Sequence, residues 1–208
     1  GHSYQSKESG ITLTLNGEIE SNTSKNLAKD GDLIYLSKPL GTGYLLAAYF
    51  NNSEMLSSDD FKKIMENLKM GNLLTVNSAR SSGSHAMTDI SGYGLSSHLI
   101  DICLSSDLSS ELKINKNILI NSNLDLLELF KSTGFENNYK STNKFIEISE
   151  SHPLKNILYD PQTNGPMLMA IEKKNKEKFE NFFLNKLNNK PILIGKFINK
   201  SKKIIYVK

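Results

Sequence analysis

The 208-residue chain has no tryptophan, one cysteine (Cys103) and one arginine (Arg80) among its otherwise lysine-based cations. Each scarcity excludes something. A lone cysteine cannot close an internal disulfide, so the framework of a small secreted domain is excluded and a reducing, cytoplasmic setting is expected. Arginine is the residue that grips phosphate through a bidentate fork. With one of them, and a dispersed net charge of +3, a nucleic-acid partner is not expected. No apolar run approaches the ~18 residues of a membrane span and no signal-peptide pattern is visible, so no membrane partner is expected either. Hydrophobic residues at 38% and charged residues at 23% suit a globular chain long enough to bury a sizeable core.

What is there reads as strands interleaved with helices. Residues 11–15, ITLTL, alternate as a strand does. GDLIYLSK (31–38) reads as a short buried strand, followed by the turn PLGTG and an apolar helix near 44–50. SSDDFKKIMENL reads as a helix entry in which Ser58 caps and Asp59 and Asp60 favour the positive end of the dipole. Phe61, Ile64, Met65 and Leu68 then share one face, and the helix is expected to run on through GNLLTVNSA, weakened by Gly71. Leu95, Leu99, Ile102 and Cys103 make a second stripe. The stretch 105–150, rich in Ser, Asn and Lys, reads as the loop-bearing part, with LDLLELF (124–130) its clearest helix. MLMAI (167–171) is a buried strand, and KKNKEKFENFFLNKL carries Phe179, Phe182, Phe183 and Leu187 on one helical face. PILIGKFI and KIIYVK close the chain as two strands expected to form a hairpin around NKSK. The pattern predicts a single α+β domain over residues 1–208, a mixed sheet with helices packed on it.

Three turns set against apolar elements could carry chemistry: SKPLGTG (37–43), AMTDISGYGLSSHL (86–99) and YDPQTNGPMLM (159–169). Asp89 ends an apolar strand beside Gly92, Gly94 and a helix start. A carboxylate there projects from a rigid element into a crevice, and Mg²⁺, which takes few carboxylates and keeps waters beside phosphate oxygens, accepts such a ligand. The glycines would let backbone approach a ligand, with the helix-opening N–H groups facing an anion. On local sequence alone, an Asp89 that simply caps its turn is the first reading. KPLGTG lacks the Gly-Lys-Ser/Thr ending of a phosphate loop, so it reads as a strand-to-helix turn with Lys38 solvated nearby. DPQTNGP reads as a proline-initiated turn in which Asp160 bonds its own backbone, while Gln162 and Thr163 shape the loop or reach a ligand. Cys103, on an apolar stripe, reads as a buried, inert thiol. His85, His98 and His152 share no metal-ligand spacing, and His98 reads as a packed or capping residue rather than a base.

In this order and spacing the three stretches resemble the carboxy-terminal domain of the selenophosphate synthetase (selenide, water dikinase) family, within the ATP-binding superfamily that includes aminoimidazole ribonucleotide synthetase. The family's versions run approximately KPLGTG, TDVTGFGLLGHL and DPQTSGG. Asn72 and the late IGKF are similar too, and the likeness spans nearly the whole chain. At the amino end, GHS followed by ITLTL is similar to the family's Gly-Gly-His-Ser/Thr segment before an alternating strand. The chain is therefore expected to be cut within that interdomain segment, residues 1–15 being its end and a first strand.

The resemblance implies a fold like the aminoimidazole ribonucleotide synthetase carboxy-terminal domain. It implies an enzyme part, from a homodimer that uses ATP, selenide and water to make selenophosphate, AMP and phosphate with Mg²⁺. It implies Asp89 as a metal ligand and Gly1 and His2 as part of the ATP site. The family's other metal-binding aspartates, its Cys or selenocysteine and its essential Lys belong to an amino-terminal domain not found in these residues, so the isolated chain is expected to be half an active site and inactive alone. Ser96, Ser97 and Pro166 depart from the family pattern, and with them two alternatives stand: a non-catalytic dimerisation or binding module, or another ATP-dependent branch of the superfamily.

Overall fold

The computed structural model describes residues 14, 16, 24–51 and 54–208. Gly1, His2 and, apart from Thr14, the ITLTL strand expected at 11–15 lie outside the described residues. Among those described, β1 (Leu33–Leu36), β2 (Ser84–Asp89), β3 (Leu108–Leu112), β4 (Ile146–Glu147), β5 (Met167–Ile171), β6 (Ile192–Asn199) and β7 (Ile205–Val207) form one sheet. Its order is β2-β5-β1-β6-β3-β7-β4. Pairs from β2 to β3 are antiparallel, whereas β7 runs parallel to both β3 and β4. The sheet is therefore mixed, as the α+β reading required.

Helices α1 (Thr42–Phe50), α2 (Ser58–Lys69), α3 (Leu73–Ser81), α4 (Gly94–Ser105), α5 (Leu124–Leu129), α6 (Phe135–Thr142) and α7 (Lys176–Leu187) accompany it. MLMAI is apolar without alternation because both faces of β5 are covered. Leu168 and Ala170 join the main core with Leu45, Leu99 and Ile102. Met167, Met169 and Ile171 join a smaller core with Ala79 of α3 and Phe179 and Phe183 of α7. Within that smaller core the Tyr35 and Phe179 rings meet edge-on, 5.1 Å apart.

Local expectations fail in four places. Ser57, not Ser58, caps α2, because Asp60 then sits where its carboxylate returns a bond to the Ser57 N–H at 3.1 Å while Ser57 Oγ accepts the Asp60 N–H at 3.2 Å, a reciprocal box. The helix does not run through Gly71: Met70 is extended at φ −71°, ψ 106°, and α3 starts afresh at Leu73. The closing strands β6 and β7 form no hairpin, since β3 lies between them. And 105–150 holds β3, α6 and β4 besides α5. The sequence of β3, LSSEL, hides a central strand behind two serines, both buried, whose hydroxyls are satisfied by Lys203 O at 2.8 Å and Ile204 O at 3.3 Å. Cys103 is fully buried on α4, as its stripe implied. Among the described residues no helix is long and apolar enough to cross a membrane.

Candidate functional site

Strand pairing brings the three motifs together. Asp89 faces Met167 across β2 and β5, which sets the turn leaving β2 beside the turn entering β5. The Ile90 N–H donates to Pro166 O at 2.9 Å and the Gln162 N–H to Ser91 O at 3.0 Å. Gly165 permits this approach: a Cβ there would lie 2.2 Å from Ile90 O. On the other side of β5, the Ser37 N–H donates to Met167 O at 3.0 Å and Ser37 Oγ accepts the Met167 N–H at 2.9 Å. KPLGTG is thereby carried alongside DPQTNGP.

Gln162 locks those two segments. Its Oε1 accepts from the Gly41 N–H (3.0 Å), the Thr42 N–H (3.3 Å) and Thr42 Oγ1 (3.2 Å), and its Nε2 donates to Asp160 O (3.0 Å) and Oδ2 (2.8 Å). These are the amides that open α1, which would otherwise be orphaned. Asp160 therefore does not bond its own backbone, as the turn chemistry suggested, but sits buried against the α1 amino terminus. Burial pushes its carboxyl up to about 7, while the Gln162 amide and the Gly43 and Tyr44 N–H groups pull it down. Oδ1 nevertheless meets none of its neighbours in a directed hydrogen bond. Thr163 joins the lock through its N–H, which donates to Thr42 Oγ1 at 2.9 Å.

Lys38 is the clearest correction. It is buried to 1% exposure, not solvated, and its Nζ donates to Asn67 O and Met70 O, each at 2.9 Å, at the carboxy end of α2. Asn164 adds bonds to Leu68 O at 2.6 Å and Met70 O at 3.2 Å. A cation at a helix carboxy terminus satisfies stranded carbonyls and opposes the negative end of the dipole. Burial lowers the Lys38 pKa to about 8. The signal was present in the sequence, since Lys38 has the parity of Ile34 and Leu36, the core-facing positions of the approaching strand.

The turn after Asp89 is held from beneath. Gly94, at φ +74°, presses against a neighbouring chain segment: a Cβ would lie 3.1 Å from Leu158 O and 3.2 Å from Asp160 O. This glycine makes room for protein backbone rather than for a ligand. Asn138 of α6, which no sequence signal marked, donates to Gly92 O and Tyr159 O, each at 2.9 Å. Asn72 donates to Gly165 O at 3.1 Å. His98 is packed, as expected: its Nε2 accepts the Ser91 N–H at 3.1 Å, Nδ1 is buried without a partner, and burial, with Lys25 nearby, lowers its pKa. Two of the three departures have partners in the fold. Ser96 is buried with Oγ 3.0 Å from Thr142 Oγ1, and Pro166 offers its carbonyl to Ile90.

Asp89 itself is exposed at the end of β2. Beside it the Gly92 Cα faces open space and Tyr93 is 70% exposed. Among the described residues no three His, Cys, Asp or Glu side chains gather as a metal cage. The other histidines among the described residues are elsewhere: His85 pairs with Asp32 (Nδ1 to Oδ2, 2.8 Å), and His152 Nδ1 accepts the Leu154 N–H at 3.2 Å. Among the described residues the donor chemistry of the site is thus the hard, solvent-facing carboxylate of Asp89. That fits Mg²⁺ as one ligand among several supplied from outside these residues.

The mixed sheet, with helices on both faces and three interlocked turns at one end, defines the class: the chain belongs to the family described as AIR synthase related protein, C-terminal domain, whose model matches residues 29–208. More particularly, it is similar to the selenide, water dikinase of Shewanella sp. (strain W3-18-1), 34% identical over 175 residues, 82% of this chain and 49% of that protein. The selenide, water dikinase of Shewanella sp. (strain MR-7) is 31% identical over 198 residues, 94% of this chain and 55% of that protein. The chain spans about half the length of these relatives. Among solved structures, thiamine-monophosphate kinase from Stenotrophomonas maltophilia K279a matches with a TM-score of 0.61 at 14% identity, over 89% of this chain and 52% of that one. HypE of E. coli, a hydrogenase maturation protein, matches with a TM-score of 0.61 at 15% identity, over 90% and 49%. Likenesses this distant carry the fold alone.

Proposed function

We propose that this chain is the carboxy-terminal part of a selenide, water dikinase, which forms selenophosphate, AMP and phosphate from ATP, selenide and water. In this reading Asp89 is the chain's ligand to the Mg²⁺ that accompanies the nucleotide. The observation that carries it is a contrast within the interlocked turns. Lys38, Asp160 and Gln162 are buried and turned toward the protein itself, whereas Asp89 stands exposed on the rigid end of β2. Relatives bearing that enzyme's name at 31% and 34% identity supply the substrate class.

Phosphoryl transfer demands alignment and charge neutralisation more than covalent help, and neutralisation is what a bound Mg²⁺ supplies. The protein's part is to fix the backbone that presents the Asp89 carboxylate. Pairing of β2 with β5 and the bonds on Ile90 and Ser91 do so before any ligand arrives. Gly1 and His2 are assigned to the ATP site on the family resemblance. The remaining metal ligands and the selenium-handling residues are assigned to an amino-terminal domain, and the enzyme to a homodimer in the cytoplasm.

The test uses the full-length protein that carries this chain. Asp89→Asn is expected to abolish selenophosphate formation from ATP and selenide, followed by ³¹P NMR, while its circular dichroism melt matches the parent's. Undiminished turnover rejects the role of Asp89.

A further inference from the structure

We infer that His98 is a positioning residue for this site, its Nε2 holding in place the turn that presents Asp89. The inference rests on the reading of Asp89 given above. His98 stands on α4 seven residues beyond Ser91, and helical side chains lean back toward the amino terminus, so its ring returns beneath the turn. There Nε2 accepts the Ser91 N–H at 3.1 Å and lies 3.3 Å from Ser91 Oγ. The Ser91 carbonyl is taken by the Gln162 and Gly94 N–H groups, each at 3.0 Å, and the neighbouring Ile90 N–H by Pro166 O at 2.9 Å. The backbone just after Asp89 is therefore pinned at each of these groups; His98 is the side chain that pins Ser91, as Asn138 pins the Gly92 carbonyl one residue further on.

A nitrogen that accepts carries no proton, so the neutral ring holds its proton on Nδ1. That Nδ1 is buried without a hydrogen-bond partner. A buried donor left unpaired is costly. The ring is thus oriented for the Ser91 contact at the expense of its other nitrogen. Groups that orient a metal ligand from one layer further out typically change metal affinity by about 10- to 100-fold when removed.

The experiment measures Mn²⁺ binding by electron paramagnetic resonance in the full-length protein with a non-hydrolysable ATP analogue. Asp89→Asn, His98→Phe and His98→Gln are compared with the parent. Asp89→Asn is expected to weaken Mn²⁺ binding at least ~10-fold, and His98→Phe about 10-fold. His98→Gln, whose Oε1 can accept the Ser91 N–H, is expected to recover most of that loss. Parent-like binding in His98→Phe, or no recovery in His98→Gln, overturns the role of His98 whenever Asp89→Asn still loses the ion. Parent-like binding in Asp89→Asn overturns the underlying reading and this inference with it. Should His98→Phe fail to fold, long-range ¹H–¹⁵N NMR of the unmutated imidazole decides: the Nδ1–H tautomer is required, and a proton on Nε2 overturns the proposal.

Discussion

Truncating Gln162 to alanine removes the lock between two of the three turns. Its amide makes five hydrogen bonds, three accepted at the α1 amino terminus and two donated to Asp160, from a side chain 4% exposed. In Gln162→Ala the Gly41 and Thr42 N–H groups and the Asp160 carboxylate lose that partner. A buried polar group left unsatisfied costs ~1–3 kcal/mol, and loss of a helix cap alone costs ~0.5–2 kcal/mol. Water entering the vacated space recovers part of the total, so the net loss should be about 3 kcal/mol. For a chain of this size that corresponds to a fall in Tm of roughly 6–12 °C. Urea unfolding followed by circular dichroism and tyrosine fluorescence measures it, the absence of tryptophan leaving tyrosine as the reporter. A loss below ~1 kcal/mol, no more than one ordinary hydrogen bond, would show that the lock is not a unit and refute the reasoning. Gln162→Glu supplies a second arm. It keeps an acceptor for α1 but puts an oxygen where Nε2 now lies, 2.8 Å from Asp160 Oδ2. Two carboxylates at that distance cannot both ionise, so this variant should lose stability progressively as the pH rises.

Asp160 predicts a pH dependence in the unmutated chain. Its carboxyl is raised from 3.8 to about 7 by burial, so between those values the folded state holds a proton that the unfolded chain has released. Its contribution to stability is then fully present below pH ~4 and lost as the pH rises to ~7; urea midpoints across that window should fall, and Asp160→Asn should remove that part of the slope, an unchanged slope counting against it. Gly165→Ala drives a methyl group to 2.2 Å from Ile90 O, whereas Gly92→Ala meets nothing within 4 Å. Thermal melts should show a loss of roughly 3 kcal/mol for the first and a change within ~0.5 kcal/mol for the second; equal melts would refute the contact. Cys103, buried and with its thiol pushed up to about 12, should resist a disulfide-exchange reagent in the native protein and react fully in urea; rapid native labelling would contradict the burial.

By itself the sequence determined the elements whose signal is local. The apolar run of β5, the stripe Leu95, Leu99, Ile102 and Cys103 on α4, and the ending of β2 at Asp89 all follow from spacings of two or 3.6 residues that neighbours along the chain enforce. It also carried the three motifs in their order, and hence the family. The tertiary structure alone decided who meets whom. Ser109 and Ser110 could form a central strand only because carbonyls more than ninety residues away accept their hydroxyl protons. Lys38 could be buried only because the end of α2 presents bare carbonyls to it. Gln162 reached out of its own turn to the amides of α1 while still bonding Asp160, which packing buried against that helix end. Polar side chains announce nothing about burial through their own composition. Whether such a group is solvated or folded inward depends on a partner from a distant segment, and packing of the apolar elements is what delivers that partner.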